Sequence, residues 1–193
     1  MLRRLYDWVM NLAAHRNATG VLAAVAFVES SVFPVPPDAM LIPMALAERN
    51  KAWFYATVAT IASVIGGMVG YAIGYFLYDT VGLAIISFYG LAEKFTSFSA
   101  KYNEHGLAIV FFAGLTPFPY KVITIASGVT KMGLAIFIAA SVVSRAMRFF
   151  LVCGLLYWFG PPIKDFIEKY LGWLTLAFGV LLVGGFVAIK YVW

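Results

Sequence analysis

Residues Phe33–Pro43 read FPVPPDAMLIP. Prolines stand at Pro34, Pro36, Pro37 and Pro43, with an acid at Asp38 and apolar side chains at Met40, Leu41 and Ile42. Proline fixes φ and has no N–H, so a regular helix cannot run unbroken through Pro34–Pro37. A surface loop would not carry Met40, Leu41 and Ile42. With long apolar runs on either side, the stretch reads as a chain break placed at membrane depth.

Composition supports that setting. Of 193 residues, 63% are hydrophobic and 12% charged, whereas soluble domains are about 45–50% apolar and about 25% charged. Apolar runs of spanning length, roughly 20 residues, occur at Ala52–Tyr78, Met132–Phe159 and Leu171–Ile189. An all-α integral membrane protein is expected. The net charge of +5 needs no nucleic acid, because basic residues flank membrane segments. The lone Cys153 permits no intramolecular disulfide and no cysteine metal cluster. His15 and His105 fall at expected interfaces, and neither a metal nor another cofactor is expected.

The chain divides as follows. Residues 1–17 place Leu2, Leu5, Tyr6, Val9, Leu12 and Ala13 on one helical face. This predicts an amphipathic helix lying in the interface rather than a secretory signal. A membrane domain is expected over 18–160. It comprises a broken pair of arms at 19–48, a transmembrane helix at 52–78, an interfacial segment at 79–104, a second broken pair at 106–131 and a second transmembrane helix at 132–159. Residues 161–193 predict a C-terminal transmembrane helix. The glycine-rich GGMVGYAIGY, Gly66–Tyr75, suits close helix packing.

The second broken pair carries GLTPFPYKVITIASG, Gly114–Gly128. Sliding the first proline stretch onto it lays Pro34 on Pro117, Pro36 on Pro119 and Asp38 on Lys121. The order is shared: apolar arm, proline break with one charge, short apolar arm, polar turn, long helix. Thr19–Phe33 and Ala39–Ala47 each fall short of a crossing. Re-entrant hairpins fit those lengths, since irregular backbone at membrane depth must be buried in protein or line a wet cavity. One hairpin plus one crossing helix inverts the next unit, an inverted repeat of the kind found in transporters.

Five ionisable residues fall within the apolar part: Glu29, Asp38, Lys121, Arg145 and Arg148. Arg145 sits midway between Met132 and Phe159, too deep for snorkelling, and Arg148 is one turn on, roughly on the same face. An ion pair with Glu29 or Asp38 that only fixes the fold is one reading. The other is an anion site, because the set keeps a single net positive charge that a phosphate would balance. A planar guanidinium binds phosphate oxygens bidentately. Lys121 would add a point charge, and Glu29 and Asp38 would exchange protons in competition with the phosphate. A capping or hairpin-closing role is the alternative for Glu29, and a cap for the returning arm the alternative for Asp38. Ser30, Ser31, Ser127 and Ser144 read as packing or backbone-pairing residues.

The segments FVESSVFPVPPDAMLIPMAL, FFAGLTPFPYKVITIASGVTKM and SRAMRFF closely resemble the DedA family, also called the VTT-domain or SNARE-associated family. The short form is most similar to its YqaA-like branch, over roughly Val21 to Gly160. The resemblance implies a multi-pass protein of the bacterial inner membrane with two opposed re-entrant hairpins. It implies proton-dependent membrane homeostasis and translocation of lipids such as polyprenyl phosphate and phospholipids. Eukaryotic relatives are lipid scramblases. By position, Glu29 and Asp38 match the essential acids of the first hairpin, and Lys121 matches an arginine of the second. The usual preceding arginine is absent, with Gly114, Leu115 and Thr116 in that region, and the acids are more closely spaced. Arg145 and Arg148 are the candidates to compensate.

The expected function is therefore a flippase or scramblase for phosphate-bearing lipids, held by Arg145, Arg148 and Lys121. The rivals are a small-solute or ion transporter and a non-transport scaffold. No nucleophile–base set marks an enzyme. Arg3, Arg4, Arg16, Arg49, Lys51, Lys164 and Lys169 would share one side, against Lys94, Lys101, Lys131 and Lys190 on the other. The bias places the N-terminus in the cytoplasm. The sequence leaves the oligomeric state open.

Overall fold

The computed structural model describes residues 17–31, 36–116 and 119–160. The expected helices at 1–17 and 161–193 and the breaks at Pro34 and Pro117 lie outside the described residues. Within them the chain is helical, without strands. Helices α1 (Ala18–Ser31) and α2 (Asp38–Ala47) flank the first proline break. A short 3-10 turn leads into α3 (Ala52–Leu77). A π-helical turn at Tyr78–Gly82 then passes into α4 (Leu83–Phe88) and α5 (Ala92–Glu104). Helices α6 (Gly106–Leu115) and α7 (Tyr120–Val129) flank the second break, and α8 (Leu134–Phe159) follows.

Both α3 and α8 have 26 residues, about 39 Å at 1.5 Å per residue. They are long and apolar enough to cross a membrane. Their outward side chains, Ile61, Ile65, Ile136, Val143 and Leu151, are about half exposed, as lipid-facing positions would be.

Two apolar clusters fill the interior. One joins Leu22 and Ala26 of α1, Met40, Leu41 and Met44 of α2, Tyr55 and Ala59 of α3, and Phe149, Cys153 and Leu156 of α8. The other joins Tyr102, Val110, Tyr120, Met132, Phe137 and Ala140, with Tyr71 packed against it. Helix α3 meets the first cluster early and the second late, while α8 meets them in the reverse order. The two long helices, which pack together, are thus antiparallel. Between the clusters both carry buried polar residues: Thr60 and Ser63 on α3, Ser141, Ser144 and Arg145 on α8.

Glycine on α3 sets the helix spacing. Gly66, Gly70 and Gly74 form one stripe at four-residue intervals, which lets neighbouring backbones approach closely. A Cβ on Gly66 would lie 2.1 Å from the Phe27 carbonyl oxygen of α1, and one on Gly74 2.0 Å from that of Ile125 in α7. Between them, Gly70 faces Thr124 Oγ1 and the Ser30 carbonyl. Thr124 Oγ1 in turn donates to the Ser30 carbonyl at 3.2 Å. One stripe therefore seats α1 and α7 in succession on α3. Helix α6 lies against α8, where Gly114 faces Ser144.

Gly66→Ala forces two backbones apart and is expected to cost about 1–3 kcal/mol, the range for overpacking. Gly20, where an added methyl would meet nothing within 4 Å, is the control: Gly20→Ala in α1 is expected to gain about 0.5–1 kcal/mol. Thermal unfolding in detergent micelles of the two variants checks both signs.

Candidate functional site

The polar layer is built around Arg145. Its side chain is 1% exposed and comes from the middle of α8. Nε donates to Ser63 Oγ of α3 at 2.6 Å, and Nη2 donates to Glu29 Oε2 in the last turn of α1 at 2.9 Å. Ser30 Oγ donates to the same Glu29 oxygen at 3.2 Å, and the Ser30 and Ser63 hydroxyls lie 2.7 Å apart. These contacts allow one consistent direction. Ser63 accepts from Arg145 and donates to Ser30, and Ser30 donates to Glu29. The result is a closed ring, Arg145–Ser63–Ser30–Glu29, with Glu29 Oε2 accepting twice. The rings of Tyr120 and Phe149 each lie 4.8 Å from the guanidinium carbon, a favourable cation–π setting away from water. Tyr120 is itself fixed by donating to Ser141 Oγ at 2.5 Å.

Arg148, one turn further along α8, is built differently. Nη2 donates to Asp38 Oδ2, and Nη1 donates to the Thr116 carbonyl at 2.8 Å. Thr116 closes α6, and Asp38 opens α2. One guanidinium thereby joins the chain ends at the two proline breaks. The Arg148 and Asp38 side chains keep 17% and 21% exposure. Asp38 Oδ1 is buried and has no hydrogen-bond partner among the described residues. Buried polar atoms are normally satisfied, so an orphan of this kind calls for a reason.

The structure thus brings four of the five expected residues into two ion pairs, Arg145–Glu29 and Arg148–Asp38. Lys121 is half-buried in the first turn of α7, next in sequence to the Tyr120 ring that covers Arg145. Asp38 does not cap α2 with its side chain. The N-cap is Pro37, without a side-chain cap bond, and Asp38 is the first helical residue. Its charge still suits the positive helix end. Of the break prolines, Pro37 is buried, whereas Pro36 and Pro119 are exposed.

Ser31 and Ser144 donate to carbonyls of their own helices, as expected. Ser30 belongs to the ring, and Ser127 meets the Tyr102 hydroxyl at 3.0 Å. Sequence reasoning missed Ser63 and Tyr120. The available signals were weak: a hydroxyl inside the apolar run of α3, and an aromatic residue just after Pro119.

The family model of the VTT domain matches residues 35–158. The chain belongs to the VTT-domain, or DedA, family. It is similar to an uncharacterized protein of Haemophilus influenzae, 38% identical over 180 residues, covering 92% of this chain and 93% of that one. It is also similar to an uncharacterized homologue from Histophilus somni, 37% identical over 182 residues, covering 92% and 94%. No solved structure matches it. The VTT family is membrane-associated, in keeping with the two long apolar helices.

Removing Arg145 leaves Glu29 without its cation. Breaking such a pair on one side costs about 3–5 kcal/mol. Arg145→Met is expected to lower stability by that order, and adding Glu29→Gln should recover about 1–3 kcal/mol as a coupling energy. A double-mutant cycle of unfolding free energies measures it. Strict additivity would mean that the ring carries no coupled energy.

Proposed function

We propose that this VTT-domain protein is a multi-pass membrane lipid translocase for phosphate-bearing lipids, such as a polyprenyl phosphate or a phospholipid, and that a proton drives exchange at Asp38. The observation carrying the proposal is the Arg148–Asp38 pair with its orphan oxygen Oδ1. A proton on Oδ1 neutralises the carboxylate without breaking any hydrogen bond that the oxygen makes. Arg148 then needs a new anion, and a phosphate headgroup matches its planar donors. Lys121 adds positive charge from the second break.

Glu29 takes the other role in this reading. Protonation of its Oε2 would remove the double acceptor and open the ring that holds α1, α3 and α8 together. Glu29 and Arg145 are thus the fixed pair, and Asp38 and Arg148 the exchangeable one. Arg145 is read as holding the site's shape and field, with the Tyr120 and Phe149 rings against it, while Arg148 meets the headgroup.

The architecture behind the proposal is a pair of opposed re-entrant hairpins, α1–α2 and α6–α7, in an inverted repeat. The packing pattern supports it. Helix α3 lies on the first arm of its own unit and the second arm of the other, and α8 does likewise with α6 and α2. We place the protein in the bacterial inner membrane and read it as a non-enzyme. Lipid tails would remain in the bilayer beside α8.

Reconstitution into liposomes tests the proposal, with a fluorescent phospholipid and a polyprenyl phosphate followed separately across pH. The wild-type chain is expected to speed transfer of at least one of them in a pH-dependent way. Asp38→Asn should flatten the pH profile with the fold retained. Glu29→Gln should instead lower the melting temperature. Protein-free rates for both lipids would overturn the translocase reading, and an unchanged pH profile in Asp38→Asn would overturn the proton assignment.

A further inference from the structure

A second polar site lies away from the two arginines, where α3, α5 and α7 end. A cavity of about 340 Å³ is lined there by Tyr78, Phe95, Thr96, Ser99, Asn103 and Lys131, among others. That volume is within the range of small-ligand sites. The Tyr78 and Phe95 rings stack at 5.1 Å along one wall. Ser99 Oγ is buried without a hydrogen-bond partner among the described residues. Asn103 Nδ2 donates to the Thr130 carbonyl at 2.9 Å, which leaves its amide oxygen as an acceptor.

Lys131 is the unusual member. It follows the end of α7 with φ +53, among the described residues the one non-glycine at positive φ. Its amide donates to the Gly128 carbonyl at 3.0 Å, and the next amide, of Met132, to that of Ser127 at 3.0 Å. Glycine is the usual residue at such a helix end, because a Cβ is strained there. The lysine places its ammonium 2.7 Å from Asp79 Oδ1 and 5.1 and 5.2 Å from the Tyr75 and Tyr78 ring centres. Both charged side chains remain more than 40% exposed. The chain therefore carries an acid-and-aromatic cation cage, with the cation supplied by a strained residue at the cavity wall.

The surroundings fit the headgroup level of a bilayer. Phe88 and Tyr89 are 84% and 67% exposed, Phe98 projects from α5, and Glu93, Lys94 and Lys101 lie among them. Exposed aromatics mixed with charges are characteristic of the membrane interface. A site that pairs one cation with one anion, each part exposed, balances a ligand that itself carries both charges.

We propose that this cavity docks a zwitterionic lipid headgroup, a phosphate diester bearing an ammonium. The phosphate lies against Lys131 and accepts from the Ser99 hydroxyl. The ligand's ammonium takes the place of Lys131 against Asp79 and the tyrosine rings, where aromatic faces favour a cation, as the Lys131 ammonium turns to the phosphate. The site uses none of Glu29, Asp38, Arg145 or Arg148, so its binding does not depend on the translocase reading.

Purified full-length protein in detergent micelles, titrated with short-chain lipids and read by native mass spectrometry, tests it. Phosphatidylethanolamine is expected to bind at least about tenfold more tightly, roughly 1.4 kcal/mol, than phosphatidylglycerol or diacylglycerol. Asp79→Asn and the cavity-filling Ser99→Phe should each remove that preference, with Thr96→Trp as the second filler should Ser99→Phe not fold. Lys131→Gly is the sharpest variant. It relieves the positive φ, so the melting temperature should hold or rise while binding weakens. Arg148→Ala should keep the preference. Equal binding of the three lipids, tighter binding of phosphatidylglycerol, or a preference that survives cavity filling would each overturn the assignment. Soluble phosphoethanolamine binding as tightly as the lipid would overturn the lipid as ligand.

Discussion

A guanidinium halfway along a membrane-length helix must find its counter-charge inside the protein, and Arg145 does so through four elements at once. Its own helix α8 supplies the Phe149 ring, α3 supplies Ser63, α1 supplies Glu29, and α7 supplies the Tyr120 ring. None of these can move far without exposing a charge to an apolar interior, where an unpaired ion costs several kcal/mol. The apolar clusters on either side then have their positions set. Each long helix runs from one cluster through the polar layer to the other, and the glycine stripe of α3 brings α1 and α7 close enough for the ring to close.

The two ion pairs of this layer are chemically alike and physically different. In the Glu29 ring every polar atom named has a partner, and two aromatic rings lie against the cation. In the Asp38 pair one carboxylate oxygen is buried without a partner among the described residues, and both side chains keep some exposure. A fully satisfied network rigidifies, whereas under the proposed function the partly satisfied one is where a proton or ligand changes the balance. The two kinds of pair are thus separated by a single helical turn of α8.

Much of this was legible in the residues. Prolines at 34–37 and 117–119 divide short apolar arms, and α1, α2, α6 and α7 are those arms as helices. The apolar runs beginning at Ala52 and Met132 contain α3 and α8. Arg145 and Arg148 stood out because nothing in an apolar helix accounts for them, and the acids that pair with them were the ones singled out. Pairing of arginine with Glu29 or Asp38 was one of the readings the sequence allowed; which arginine takes which acid was not legible. Overlaying the two proline stretches matches Asp38 with Lys121, yet the carboxylate meets Arg148, because α8 lies against α2. A sequence overlay reports equivalence between positions and carries no information on contact. Ser63 was hidden for another reason: a serine in an apolar helix usually bonds its own backbone, as Ser31 does, and only the fold decides otherwise.

The division of labour between the arginines also bears on why a phosphate could enter at all. Displacing Glu29 from Arg145 would strand a carboxylate, two serines and a guanidinium packed against two aromatic rings, so an incoming anion would have to replace a whole ring of bonds. At Arg148 the proposed exchange is one for one. A protonated Asp38 gives up an ionic contact, a phosphate oxygen takes it, and the Thr116 carbonyl stays bonded throughout. In that proposed order the guanidinium keeps the Thr116 carbonyl as an acceptor while one anion replaces the other, which limits desolvation, the dominant cost of charge at membrane depth. Under the proposed function, the deeper arginine keeps the layer intact while the shallower one changes partners. That order follows from the bonding, since Arg145 is held by a closed ring and Arg148 by one carboxylate and one carbonyl.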